Sequence, residues 1–191
     1  MTWAAVILTG GTASRLGGLD KASLELADRS LLDHALAAVA GADEVVVVGP
    51  RASAPAGVRF TREEPPGGGP LAGVAAGVAA LSAGHHRVVV LAVDMPHVTA
   101  GTVARLLAAS DGVDGAWLTD GDGRRQLAGA VDPALVPPPE QTRGVPARAL
   151  MTAGTGCDVP AVLDEAADVD TWEDVARLSR GPGSGAPGDR T

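Results

Sequence analysis

The chain is short of aromatic side chains, of cysteine and of positive charge. Aromatics make up 2% of its residues, with no Tyr and one Phe, so the core has to be built from Ala, Val and Leu. The single Cys157 excludes a disulfide framework and reads as a small, partly buried residue. Acidic residues outnumber basic ones, 23 to 15, and the formal net charge of -8 argues against broad docking on nucleic acid or an anionic membrane. Any basic site has to be local. No apolar run approaches the ~20 residues that span a bilayer, and the N-terminus shows no charged stretch leading into an apolar one. The expectation is a soluble, cytoplasmic protein with no nucleic-acid and no membrane partner.

What is present suits a packed globule: 46% hydrophobic residues against 20% charged, in 191 residues. One domain is expected over residues 1–180, followed by a disordered Gly/Pro/Ser-rich tail at 181–191. Apolar runs at residues 4–8, 44–48, 58–60, 87–93 and 115–118 read as strands, with a further one at 126–131. Several of these runs are continuous rather than alternating, the pattern of strands covered on both faces. Helical patterns lie between them. Ser30 caps one that runs to Ala40 with Leu31, Leu32, Ala35, Leu36 and Val39 on one side, and Gly41 stops it. Two more cover residues 71–82 and 99–109, the latter with Thr99 as N-cap. This alternation predicts an α/β protein with a doubly wound, mostly parallel sheet, whose ligands sit beyond the carboxyl ends of the strands. Residues 133–144, with Pro137, Pro138 and Pro139, are too proline-rich for regular structure and are expected to form a surface excursion near the crevice.

Three loops fall at those strand ends. The first, LTGGTASRLGGLDK, combines Gly10, Gly11, Gly17 and Gly18 with Arg15 and Lys21. It matches neither G-x-x-x-x-G-K-[ST] nor G-x-G-x-x-G. Glycines let the backbone approach an anion, Arg15 can fork two phosphate oxygens, and Lys21 can act as a mobile point charge on the same triphosphate. The plainer reading is a glycine-rich turn with two solvated cations. The second loop, around Glu63, Glu64 and Gly67 to Pro70, is either a long turn or a flat backbone lying against a purine with Glu64 accepting from its N–H edge. Pro70 suits the first turn of the next helix. In the third, Asp94 follows a buried strand in VVVLAVDMPHV and is either a turn residue or a ligand for Mg²⁺, which favours one or two carboxylates plus substrate phosphates.

Further on, Thr171 and Asp174 in DVDTWED approximate a capping box, which leaves Asp170 free to complete a metal site with Asp94. Arg124 and Arg125 sit at a hairpin tip, solvated or facing an anionic second substrate; Arg143 and Arg148 raise the same alternatives. None of His34, His85, His86 and His97 has metal-ligand spacing or the setting of a catalytic base.

These residues carry a resemblance. LTGGTASRLGGLDK, then EEPPGGGPLAG, VDMP and DVDTWED, in that order across residues 4–175, resemble the molybdenum cofactor guanylyltransferase (MobA) family. The resemblance implies a three-layer, Rossmann-like fold of the nucleotide-diphospho-sugar transferase type. It implies transfer of GMP from GTP to molybdopterin with release of pyrophosphate, Mg²⁺ as the cofactor, and other cofactor-biosynthesis proteins or acceptor enzymes as partners. The attacking phosphate is already ionised, so no general base is required. Residue by residue, it assigns Leu8, Thr9, Gly10 and Gly11 to the nucleotide, Arg15 and Lys21 to the phosphates and Asp94 to the metal. Glu64, Gly69, Pro70 and Leu71 go to the base, with Gly10 and Pro70-Leu71 leaning towards guanine. The chain departs from the family at Thr9 (commonly Ala), at Glu64 (commonly Asp), at Gly49, where some relatives have Asn, and at Gln126-Leu127, which lacks a proline. The alternatives are a cytidylyltransferase, transfer to a different phosphorylated acceptor, and an inactive nucleotide-binding module.

Overall fold

The computed structural model describes residues 2–10 and 21–178. Gly11, Arg15, Gly17, Gly18 and the expected tail at 181–191 lie outside the described residues. Strands β1 (Trp3–Leu8), β2 (Glu25–Leu26), β3 (Arg29–Ser30), β4 (Glu44–Val48), β5 (Arg59–Thr61), β6 (Arg87–Ala92), β7 (Gly115–Thr119), β8 (Arg125–Val131) and β9 (Gly156–Pro160) alternate with helices α1 (Leu31–Ala38), α2 (Pro70–Ala80), α3 (Ala100–Ala109), α4 (Arg148–Met151) and α5 (Trp172–Leu178). Seven strands form one sheet in the order β5-β4-β1-β6-β8-β7-β9, and β2 and β3 make a separate small hairpin. All neighbours pair in parallel except β8, which is antiparallel to both β6 and β7. The expected mostly parallel sheet is found; β9 and the β2–β3 hairpin had no clear pattern in the sequence.

Continuous apolar strands follow from burial on both faces. Along β1, Ala5 and Ile7 join a core with α1, α3 and α5, while Val6 and Leu8 join a second core with α2 and α4. Ser30 caps α1 and Thr99 caps α3, each accepting from the backbone three residues on, as the sequence predicts. Helix α2 lies close to the sheet because Gly77 has no side chain: a Cβ there would overlap Val6 Cγ1 and crowd Val48.

Residues 133–144 are more than a surface excursion. They contain two single 3-10 turns, Pro133–Leu135 and Pro139–Gln141, and Thr142 is fully buried. Leu135, Val136 and Val145 pack on the same core as α2, and Gly144 N donates to Gly68 O at 3.0 Å. Proline-rich chain covers here a part of the sheet where a helix was not required.

Register levels the carboxyl ends of the central strands. Leu8 stands opposite both Val48 and Ala92, Thr9 N donates to Val48 O at 3.0 Å, and Val93 N to Leu8 O at 2.9 Å. From β1 the chain crosses through α1 to β4 on one side, and later from β5 through α2 to β6 on the other. That reversal opens a crevice between the ends of β1 and β6.

Candidate functional site

A cleft of about 520 Å³ opens beyond β1 and β4. Leu8, Gly10 and Val48 line it at the strand ends, and Glu63, Gly67, Gly69, Pro70 and Gly73 line it from the glycine-rich loop and the first turns of α2. Gly69 is the N-cap of α2 at φ 94°, a conformation that glycine adopts freely, and Pro70 is at the first helical position. Gly73 brings the helix backbone to Leu8, where a Cβ would come within 3.3 Å of Leu8 Cδ2. The result is a cleft walled largely by backbone.

Four of the expected nucleotide residues, Leu8, Gly10, Gly69 and Pro70, line this cleft. Three others are turned away. Leu71 is 1% exposed and packs in the core beneath α2, because the second residue of that helix faces the sheet. The Thr9 hydroxyl donates to Val48 O at 3.1 Å inside the sheet end, and Gly49, at φ 149°, leaves the space that it fills. Glu64 is exposed, and its neighbour Glu63 lines the cleft, accepting from Gly67 N at 3.2 Å. The acid expected at the cleft is Glu64; Glu63 is there instead, because spacing in a loop this rich in Pro and Gly does not fix which of two adjacent acids turns inward. Val48 and Gly73 were missed for a simpler reason: they look like ordinary strand and helix residues.

Beside the cleft, at the end of β6, Lys21 joins two carboxylates. Its Nζ donates to Asp94 Oδ2 at 3.0 Å and to Asp170 Oδ1 at 2.6 Å. The Lys21 side chain is 10% exposed. Burial opposes its charge, but Asp170 and Asp94 outweigh that cost, and its pKa lies above the ordinary lysine value. The backbone delivers all three groups independently. Lys21 opens a 3-10 turn, Lys21–Ser23; Asp94 follows β6; and Val169 N donates to Asp94 O at 2.9 Å, drawing residue 170 alongside.

Asp170 is held from behind as well. Asp174 Oδ2 accepts from Asp170 N at 3.2 Å, Thr171 N at 2.9 Å and Thr171 Oγ1 at 2.7 Å, the capping box expected from the sequence. The Thr171 hydroxyl, then Arg177, holds the Asp174 carboxyl down at about 2. Further upstream Glu165 clamps the segment to α3. Its carboxylate takes Arg105 Nη1 at 3.0 Å and Nη2 at 2.6 Å, the Thr102 hydroxyl at 2.6 Å and Val162 N at 2.8 Å. Burial alone would raise the Glu165 carboxyl; Arg105 and Thr102 outweigh it and bring it from 4.5 to about 2. Asp168 is shifted the other way, raised first by burial and then by Asp170 and Asp94, a sign of the negative field around the pair. Two carboxylates converging on one cation form a donor set that suits a hard divalent metal completed by phosphate oxygens.

Of the other cations, Arg125 is structural: it donates to Asp158 Oδ1 at 2.5 Å and to the Met151 carbonyl. Arg124, Arg143 and Arg148 are exposed. Among the described residues no helix is long and apolar enough to cross a membrane.

The fold is thus a doubly wound sheet with one reversed strand, and it carries a backbone-walled cleft with paired carboxylates beside it at the switch point. The chain is 22% identical over 93% of its length, with a TM-score of 0.76, to the crystal structure of a homolog of Mycobacterium tuberculosis rv0371c from Mycobacterium sp. strain JC1, 95% of which is covered. A complex of Rv0371C from M. tuberculosis H37Rv with manganese aligns with a TM-score of 0.74 at 18% identity, over 95% of this chain and 100% of that one. The profile of the MobA-like NTP transferase domain matches residues 5–169, and the chain belongs to that family. A molybdenum cofactor guanylyltransferase of Acidiphilium cryptum (strain JF-5) is 45% identical over 114 residues, 55% of this chain and 57% of that relative. The chain thus spans little more than half the length of the curated relatives that it matches.

Proposed function

We propose that the protein transfers GMP from GTP to the terminal phosphate of molybdopterin, releasing pyrophosphate and forming molybdopterin guanine dinucleotide, and that it does so in the cytoplasm. The observation that carries this reading is the convergence of Asp94, Asp170 and Lys21 on one point beside the glycine-walled cleft. Membership of the MobA-like family and the named guanylyltransferase relatives support it.

In this reading the cleft lined by Leu8, Gly10, Gly67, Gly69 and Pro70 holds the base. Glu63 is the acid available to accept from N–H groups on its edge; guanine offers such donors on both N1 and N2. Asp94 and Asp170 would hold Mg²⁺, which neutralises charge on the reacting phosphates when bound. A structural neighbour was solved as a complex with manganese, which supports a divalent ion for this chain. Lys21 supplies a further cation beside the same phosphates, with Arg15 of the glycine-rich loop as its expected companion. The acceptor phosphate attacks in its ionised form, so this chain needs only to align it and to stabilise the charge passing to pyrophosphate.

The test is pyrophosphate release by the protein with Mg²⁺, molybdopterin and each nucleoside triphosphate in turn. GTP alone should support turnover. Turnover with CTP but not GTP would overturn the guanine assignment, and turnover only with a different phosphorylated acceptor would overturn the molybdopterin assignment.

A further inference from the structure

Lys21 is the sole lysine in the chain; every other basic side chain apart from histidine is an arginine. Its ammonium sits 2.6 Å from Asp170 Oδ1 and 3.0 Å from Asp94 Oδ2, where a cation shared by those carboxylates would sit. We infer that Lys21 is an exchangeable counter-ion: in the nucleotide-free protein its ammonium occupies the position of the divalent metal between Asp94 and Asp170, and it leaves them when the metal enters. This rests on the proposed metal role of the two aspartates.

Three features support exchange over a fixed ion pair. First, the backbone that carries each carboxylate is tied in place without Lys21. The Asp94 backbone carbonyl takes Val169 N at 2.9 Å, and Asp170 N is tied to Asp174 Oδ2 at 3.2 Å. When the lysine withdraws, the two acids remain on neighbouring, tied backbone and lose their shared cation, which is the condition for capturing another. Second, the residue is a lysine. An ammonium is a compact charge on a flexible four-carbon stem and moves between partners without having to match a planar fork, as a guanidinium must. Third, the access is asymmetric. The Lys21 side chain is 10% exposed, while those of Asp94 and Asp170 are 25% and 48% exposed, so solvent reaches the carboxylates more readily than the ammonium.

Metal alone therefore competes with a resident cation, and its apparent affinity falls by the fraction of molecules in which the lysine holds the aspartates. Metal arriving with a triphosphate meets no such cost, because the phosphates offer the displaced ammonium a new anionic partner. Metal and nucleotide are then positively coupled through one side chain, and the coupling is reciprocal.

The experiment is a titration of the nucleotide-free protein with Mn²⁺, with the free ion followed by electron paramagnetic resonance. Lys21→Met, which keeps the stem and removes the charge, should bind Mn²⁺ roughly tenfold more tightly than wild type and lose most of the gain in affinity that GTP gives wild type. Equal or weaker binding by the variant overturns the proposal. Because Lys21→Met leaves buried charge unpaired, a second measurement uses the wild-type chain. Acylation of the one lysine by an amine-reactive ester, quantified by mass spectrometry on its peptide, should speed up roughly tenfold on saturation with Mg²⁺ and slow again with GTP. A rate indifferent to Mg²⁺ overturns it as well. If neither protein binds Mn²⁺ even with GTP, the metal reading itself falls and the exchange with it. If wild type binds Mn²⁺ with GTP while Lys21→Met gains nothing in its absence, the exchange alone is wrong.

Discussion

The two halves of the sheet are built by different rules. From β5 to β6 the strands are all parallel, and the crossovers run through α1 and α2. From β8 to β9 one strand is reversed, and a proline-rich segment ending in the four-residue α4 covers the face that α2 covers elsewhere. The first half combines helical crossovers with long-range ties on Glu44, whose carboxylate meets Ser82 N and His85 Nε2, each at 2.9 Å. The second is held by long-range polar ties: Arg125 to Asp158, Asp114 Oδ2 to Thr155 N at 2.7 Å, and the Glu165 clamp on Arg105. The glycine-walled cleft sits over the first half and the carboxylate pair at its boundary with the second. The candidate site therefore lies where the two halves meet.

The sharpest way to break this contrast is at the boundary. Asp94→Ala should lower turnover on the order of 10³-fold in a pyrophosphate-release assay while leaving the melting temperature close to wild type. Near-native rates with Mg²⁺ would show that the aspartate is only a turn residue. Close packing is expected to matter in both halves. Gly77→Ala, pressing Val6, and Gly129→Ala, pressing Trp117, should each cost about 1–3 kcal/mol in urea unfolding. A neutral Gly129→Ala would mean that the second half is loosely packed.

Glu165→Gln tests the polar tie. The folded carboxyl titrates at about 2 against 4.5 unfolded, so its contribution is fully present above pH 4.5 and is lost as pH falls towards 2. The variant should be about 1–3 kcal/mol less stable at pH 7, with the gap closing over that acidic window in pH-dependent unfolding. Smallest is the contrast between neighbouring acids: Glu63→Gln should raise the KM for GTP roughly tenfold through one lost charged hydrogen bond, and Glu64→Gln should leave it unchanged. Equal effects from the two would move the base edge out of the cleft.

Much of the first half was legible because its signals are local. A buried strand breaking into glycines, a Ser or Thr before a helical period, and a carboxylate after a valine run each read within a dozen residues. Thr171 and Asp174 formed the capping box that their spacing suggested. The second half was harder to read because its cues are distant. β9 carries few apolar residues and exists through its pairing with β7, some forty positions earlier. Arg125, open in the sequence to a substrate role, is engaged by Asp158, 33 positions further on.

The sequence by itself determined the α/β alternation, the capped helices and the candidate residues at the strand ends, because short-range periodicity and backbone chemistry settle these. Only the tertiary structure decided that Glu63 rather than Glu64 faces the cleft, that the Thr9 hydroxyl is spent inside the sheet, and that Lys21 lies between Asp94 and Asp170. Each of those outcomes depends on where a second segment packs: the turn before α2, the end of β4 and the stretch leading into α5. Sequence spacing does not encode that distance.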